Sequence, residues 1–131
     1  MRIVHGHYPP NYKKIADALA PGPNAIFCYG ESIYIPGGFD IPPWLEAHEA
    51  GHSRQQRAVG IEPWWDRYIV DPEWRFAQEL EAHRMEWRVF IDGKPTRPQR
   101  RHMIKILSRR LSGPLYGNIV TRAAARRAIE K

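Results

Sequence analysis

The stretch "EAHEAGHSRQQ", residues 46–56, decides how this chain is read. Asp40 lies ahead of it, Pro42 and Pro43 fall in the first turn, and Gly60 stands beyond its end. That pattern predicts a helix from about Pro42 to Ala58. On a helix, residues i and i+4 project from one face a turn apart, so His48 and His52 aim their imidazoles at a common point. Glu49 is offset by one position and leans the same way. Two imidazoles hold a divalent ion, and the carboxylate between them reaches the water on that ion, whose pKa zinc lowers to about 7. A tetrahedral zinc site needs a third protein ligand, which this stretch does not contain.

The third ligand must come from elsewhere in the chain. In the extended metzincin pattern a third histidine would fall at Ala58 and a glycine at Gln55, so that version is excluded. The next candidate is "FAQELEAHRMEW", residues 76–87. It belongs to a second helix that starts at Asp71-Pro72-Glu73, with Asp71 as N-cap, and runs to about Ile91. Glu79, His83 and Glu86 fall at i, i+4 and i+7 on one face with Phe76 and Ala82. Glu81 is turned toward solvent with Arg84 and Arg88. An apolar stripe carrying two acids and a histidine suits a ligand face; a helix with solvated charges is the alternative. Gly51, between the two histidines, lets another backbone approach closely, at a propensity cost of about 1 kcal/mol against Ala.

"HEAGH", followed 26 residues later by "ELEAH", resembles the gluzincin class of zinc metallopeptidases. In that class a helix with a glutamate ligand, often written E-x-x-A-[D/N], follows H-E-x-x-H. "HSRQQ" also resembles small bacterial and phage-type zincins of the H-E-x-x-H-x-x-Q kind. The resemblance spans roughly residues 25–90. It implies zinc held by His48, His52 and Glu79, with Glu49 as general base and Ala82 as the small residue. His83 stands where the class has Asp or Asn, a residue that supports a ligand histidine; a direct ligand role in place of Glu79 is the other option. The likeness further implies that "SIYIPGG" (32–38) forms the sheet edge above the cleft, so that Ile33, Tyr34 and Ile35 pair with an extended peptide. Tyr116, in the turn-rich "LSGPLYGN" (111–118), and His102 are candidates to stabilise an oxyanion.

The remaining elements complete an α+β domain, a hairpin with about five helices, expected to be a minimal zincin-like fold. "NYKKIADALA" (11–20) reads as a helix capped by Asn11, and "AIFCYG" (25–30) with "SIYIPGG" as a hairpin. "IEPWWDRYIV" (61–70) reads as a loop or short extended segment. Two basic helices are expected at about 98–111 and 121–130. With 131 residues the chain makes one domain, a core over about 25–93 and a basic helical extension over about 94–131. Its 43% hydrophobic residues exclude a disordered chain. His5 and His7 share a face if residues 2–7 form a strand.

No apolar run approaches the ~20 residues that span a bilayer, and the N-terminal residues lack the apolar core of a secretory signal. Cys28 is the only cysteine, which excludes a disulfide framework and a thiolate zinc cluster and fits a reducing, cytoplasmic compartment. The net charge of +6 is uneven: from Lys94 onward there are eleven Lys or Arg and a single acid, Glu130. Such a segment favours acidic partners, nucleic acid among them, although Tyr116 is its only aromatic and offers no stacking platform. Three functions stay open on the sequence: a zinc peptidase acting on a peptide or protein, a catalytically silent metal-binding module of the same fold, and a basic nucleic-acid-binding protein.

Overall fold

The computed structural model describes residues 1–131. The elements are β1 (Arg2–His5), α1 (Tyr12–Leu19), β2 (Phe27–Tyr29), β3 (Ser32–Ile35), α2 (Pro43–Val59), α3 (Ile61–Val70), α4 (Pro72–Asp92), α5 (Arg97–Leu111), a 3₁₀ turn (Pro114–Tyr116) and α6 (Arg122–Glu130). The architecture is α+β, six helices with one small mixed sheet. No helix is long and apolar enough to cross a membrane.

The helix starts follow from local chemistry. Asp71 accepts the Trp74 amide at 3.0 Å, and Pro72 adds a preset φ to the first turn of α4. Thr96 and Gln99 form a capping box on α5, and Thr121 caps α6. Asn11 precedes α1 as expected, but its side chain makes no capping bond. α2 packs chiefly on α4. At their contact a methyl on Gly51 would stand 3.6 Å from Ala82 Cα, so the two backbones approach closely there.

The sheet order is β1-β3-β2, with β1 parallel and β2 antiparallel to β3. Gly30 opens the two-residue hairpin turn at φ +63°, the first position of a type II′ turn, and a β-carbon there would meet Ile61 at 2.9 Å. This topology corrects the expectation for Ile33, Tyr34 and Ile35. β3 is the central strand, bonded on both sides because Arg2–His5 supplies a third strand, so it has no free edge for a peptide. Ile33 and Ile35 are fully buried core residues. The strands with an open side are β1 and β2, and β2 is the one that borders the cleft.

A second correction concerns residues 61–70, which are helix rather than loop. Ile61, Trp64, Trp65, Tyr68 and Ile69 recur at i, i+3, i+4, i+7 and i+8, and Pro63 is tolerated because it lies in the first turn. Trp64, Trp65 and Tyr68 form an apolar cluster with Ile15 and Phe27. A third correction concerns the C-terminal part, which is no appendage. Ile104, Leu107, Leu111, Tyr116, Ala125 and Ile129 form a second cluster with Trp87 of α4. Burying one large apolar side chain contributes about 1.5–3 kcal/mol, so the apolar faces of α5 and α6 are part of the core. Between the two clusters lie the buried polar residues of α2 and α4.

Candidate metal centre

Six polar side chains on two helices are buried together: His48, Glu49 and His52 on α2, and Glu79, His83 and Glu86 on α4. Burying such groups is costly unless they are paired. His48 Nε2 lies 3.2 Å from Glu79 Oε1, and His52 Nε2 lies 3.1 Å from Glu79 Oε2. The ligand atoms of these three residues all fall within 4.8 Å of one another.

The far side of each ring fixes what its near side can do. His48 Nδ1–H donates to Glu86 Oε1 at 2.8 Å, and His52 Nδ1–H donates to Gln55 Oε1 at 2.9 Å. Gln55 Nε2 donates in turn to the Gln78 carbonyl, which sets the orientation of its amide. With Nδ1 protonated, each neutral ring points an Nε2 lone pair at the Glu79 carboxylate. Two lone pairs facing carboxylate oxygens at 3.1–3.2 Å require positive charge between them, either protons or a metal ion. Tetrahedral zinc with bonds of about 2.0–2.2 Å separates its ligands by roughly 3.3–3.6 Å, within a few tenths of the observed contacts. Beside a neutral His48 ring Glu79 Oε1 is buried without a hydrogen-bond donor, a gap that a proton on Nε2 or a metal ion closes. The His48–His52–Glu79 group can therefore bind a metal ion. Two imidazoles and a carboxylate suit zinc, and cobalt, nickel or manganese use the same donors.

Charge alone holds the group together when protons fill that role. Burial pulls the His48 pKa down, but hydrogen bonds to Glu79 and Glu86 more than reverse this and raise it to about 10. His52 is raised despite its burial, by the charge and hydrogen bond of Glu79. Glu79 is pushed up by burial yet held well below the usual carboxylate range by His52 and His48. Glu49 is raised, first by burial, and lines the same cleft.

Tyr68 and Tyr116 close the site from outside α2 and α4. The Tyr68 hydroxyl donates to Glu79 Oε2 at 2.7 Å, and its ring stacks on Trp64 at 4.7 Å. Tyr116 is brought to the cleft as expected, its ring 6.0 Å from that of His83. Buried Arg75 holds both tyrosines in place. It donates to the carbonyls of Tyr68 at 2.7 Å and Ile69 at 2.9 Å, at the C-terminus of α3, and to Leu115 O at 2.6 Å. The cleft has a volume of about 340 Å³, with mostly apolar walls.

His83 is displaced from its expected role. Its Nδ1–H donates to the main-chain carbonyl of Glu79 at 2.6 Å, and the residue that supports His48 is Glu86, one turn further along α4. His83 Nε2 is buried without a partner, and burial followed by the His48 charge lowers its pKa to about 3, so the ring is neutral. His102, His5 and His7 are exposed and stand outside the metal group. Cys28 lines the cleft, but its thiol bonds Gly30 O at 3.4 Å and burial pushes its pKa up.

The expectations missed Tyr68, Arg75, the roles of Gln55 and Glu86, and Arg110, whose Nη1 lies 3.2 Å from Glu86 Oε1. Glu86 and Gln55 were within reach of helix spacing, at i+7 from Glu79 and i+3 from His52. Comparison with protein-family models, curated proteins and solved structures finds no match to this chain.

Proposed function

We propose that this chain is a minimal zinc-dependent peptidase with a zincin-like arrangement of α2, α4 and the small sheet. One observation carries this: two imidazoles, anchored through Nδ1, turn their Nε2 atoms onto one buried carboxylate in a cleft that Glu49 also lines. His48, His52 and Glu79 hold the ion. When bound, it supplies Lewis acidity and a water of lowered pKa. Glu49 accepts a proton at its carboxylate and returns it to the leaving amine, a role suited to an acid whose pKa burial has raised. Tyr68 fixes the Glu79 carboxylate, and the Tyr116 hydroxyl is the donor for developing negative charge on the carbonyl oxygen. The single cysteine, buried and unpaired, is compatible with a reducing compartment.

The test is the metal content of protein purified without chelator, beside His48→Ala and Glu79→Gln, followed by a peptide-library digest beside Glu49→Gln. The expected result is about one zinc per native chain, much less in both ligand variants, and hydrolysis that Glu49→Gln abolishes. Zinc without hydrolysis of any peptide identifies a silent metal-binding module. No zinc after reconstitution removes the peptidase assignment.

One feature of the C-terminal helices favours a second activity. Of the cations from Lys94 onward, all exposed, only Arg110 and Arg126 have an acid within 4.0 Å. We propose that this face contacts nucleic-acid phosphates. Affinity for duplex DNA should then fall steeply with salt and be indifferent to chelator.

A further inference from the structure

Arg110 is the one lysine or arginine among the side chains that line the metal cleft. Its side chain is 39% exposed and gives one nitrogen, Nη1, to Glu86 Oε1 at 3.2 Å. The rest of its planar fork has no protein acceptor within hydrogen-bond distance. Glu86 Oε1 joins the guanidinium to His48, at 3.2 Å from Arg110 Nη1 and 2.8 Å from His48 Nδ1. The neighbouring walls, Phe39, Leu45, Leu115 and Ile26 among them, are apolar. An arginine in the wall of this cleft, with donors to spare, is a site for a planar anion.

Two further features limit what lies in this cleft. Its volume of about 340 Å³ is at the small end of ligand clefts, which run from about 300 to 1,000 Å³. The open side of β2 is also partly taken. Gln56 Nε2 donates to Cys28 O at 2.9 Å, its Oε1 accepts the Gly30 amide at 2.7 Å, and Trp65 Nε1 adds a second bond to Cys28 O at 3.1 Å. In an antiparallel pair alternate residues face outward, so an added strand has only the amide and carbonyl of Ile26 and the Cys28 amide left to pair with. Such a short edge cannot secure a long peptide by main-chain pairing. Affinity has to come from a charged anchor close to the reacting bond.

We propose that Arg110 binds a carboxylate of the substrate, and so directs the site to peptide bonds lying next to a free C-terminus or an acidic side chain. This rests on the peptidase assignment above. A carboxylate paired with the free nitrogens of this fork would hold the neighbouring peptide bond in the cleft that His48, His52 and Glu79 line, while Glu86 holds Nη1.

The test uses zinc-loaded Glu49→Gln protein, which holds ligand without turning it over, with zinc content measured on every sample. Three probes are titrated by calorimetry: N-acetyl-Ala-Phe as the free acid, the same dipeptide as its C-terminal amide, and N-acetyl-Ala-Glu amide. At least one carboxylate probe should bind roughly ten- to a hundredfold tighter than the neutral amide. Which one does so identifies the source of the carboxylate. Adding Arg110→Gln should erase the preference, and Arg110→Lys should retain part of it. A purely structural role for Arg110 in holding Glu86 would weaken all three probes alike. Equal affinities, no binding, or a preference that survives in Arg110→Gln with the carboxylate on the metal itself, each overturn the proposal. If those outcomes occur in zinc-loaded samples the peptidase assignment survives; if no sample binds zinc, that assignment fails and this one with it.

Discussion

Glu86 Oε1 stands 2.8 Å from Nδ1 of His48, and this contact turns the ring so that Nε2 meets Glu79. Glu86 is 2% exposed, so its charge is worth maintaining only because His48 and Arg110 share it. Glu86→Ala should lower zinc affinity by about 10–100-fold, the usual effect of removing a partner behind a ligand histidine. Glu86→Gln should lose less, because an amide oxygen still accepts the Nδ1 proton. Competition against a chromophoric chelator measures both. Zinc affinity unchanged in Glu86→Ala would show that the contact does not orient the ligand.

Tyr68→Phe isolates one hydrogen bond. The hydroxyl on Glu79 Oε2 is lost, while the ring keeps its place on Trp64. A hydrogen bond to a charged group contributes about 1.5–3 kcal/mol, so zinc should bind about tenfold or more weakly. The urea midpoint of the zinc-loaded protein should fall with it and the circular dichroism spectrum should stay the same. A variant that binds zinc as tightly as the native chain would remove Tyr68 from the site.

What the sequence made legible was local. The spacing of His48, Glu49 and His52, and the shared face of Glu79 and Glu86, follow from 3.6 residues per turn once the helices are placed. Tyr68 was also legible, because residues 61–69 carry a helical period that their proline and dense aromatics disguised. Arg75 and Arg110 were not. They reach Leu115 and Glu86 across 40 and 24 residues, and no periodicity carries such contacts. The misplaced edge strand has the same origin. β1 is four residues, half of them exposed, and pairs in parallel with a strand 30 positions away in register, so neither its burial pattern nor a turn announces it.

Metal binding should release protons. His48, raised to about 10, carries a proton near neutral pH that an ion on Nε2 must displace, and His52, raised by Glu79, acts in the same direction. Zinc affinity should therefore climb with pH above the ordinary histidine value of 6.5, by about one log unit per pH unit from His48 with His52 adding to the rise, and level off near pH 10. The metal-free protein should respond in the opposite sense. A group whose folded pKa is raised adds stability that is complete below its unfolded value and is lost as pH rises through the folded one. His48 thus stabilises the metal-free chain below about pH 6.5 and progressively less toward pH 10. Calorimetry in buffers of different ionisation enthalpy counts the protons, and a count of zero per zinc contradicts the prediction.

Gly51→Ala should be tolerated, despite the close helix contact. The added methyl would sit 3.6 Å from Ala82 Cα and 3.8 Å from its Cβ, ordinary van der Waals distances. Alanine also gains about 1 kcal/mol of helix propensity over glycine. The variant should be more stable by roughly 0.5–1 kcal/mol and keep its zinc, whereas Gly51→Leu should push the helices apart and weaken zinc binding. Loss of stability in Gly51→Ala would mean that α2 and α4 lie closer in solution than these distances indicate.

Gln56 links the sheet to the metal helix, and its removal tests whether the edge strand depends on α2. The residue is fully buried one turn after His52, and its amide meets both the Gly30 N–H and the Cys28 carbonyl as a neighbouring strand would. Gln56→Ala leaves the Gly30 amide unsatisfied, while Cys28 O keeps Trp65. An unpaired buried group costs about 1–3 kcal/mol, and the lost packing adds to that. Gln56→Glu should be at least as harmful, because it sets a buried carboxylate oxygen against the Cys28 carbonyl. Urea unfolding should show both variants less stable, with one zinc still bound below the transition, since the ligands themselves are untouched. A Gln56→Ala chain as stable as the native one would show that β2 holds its place without α2.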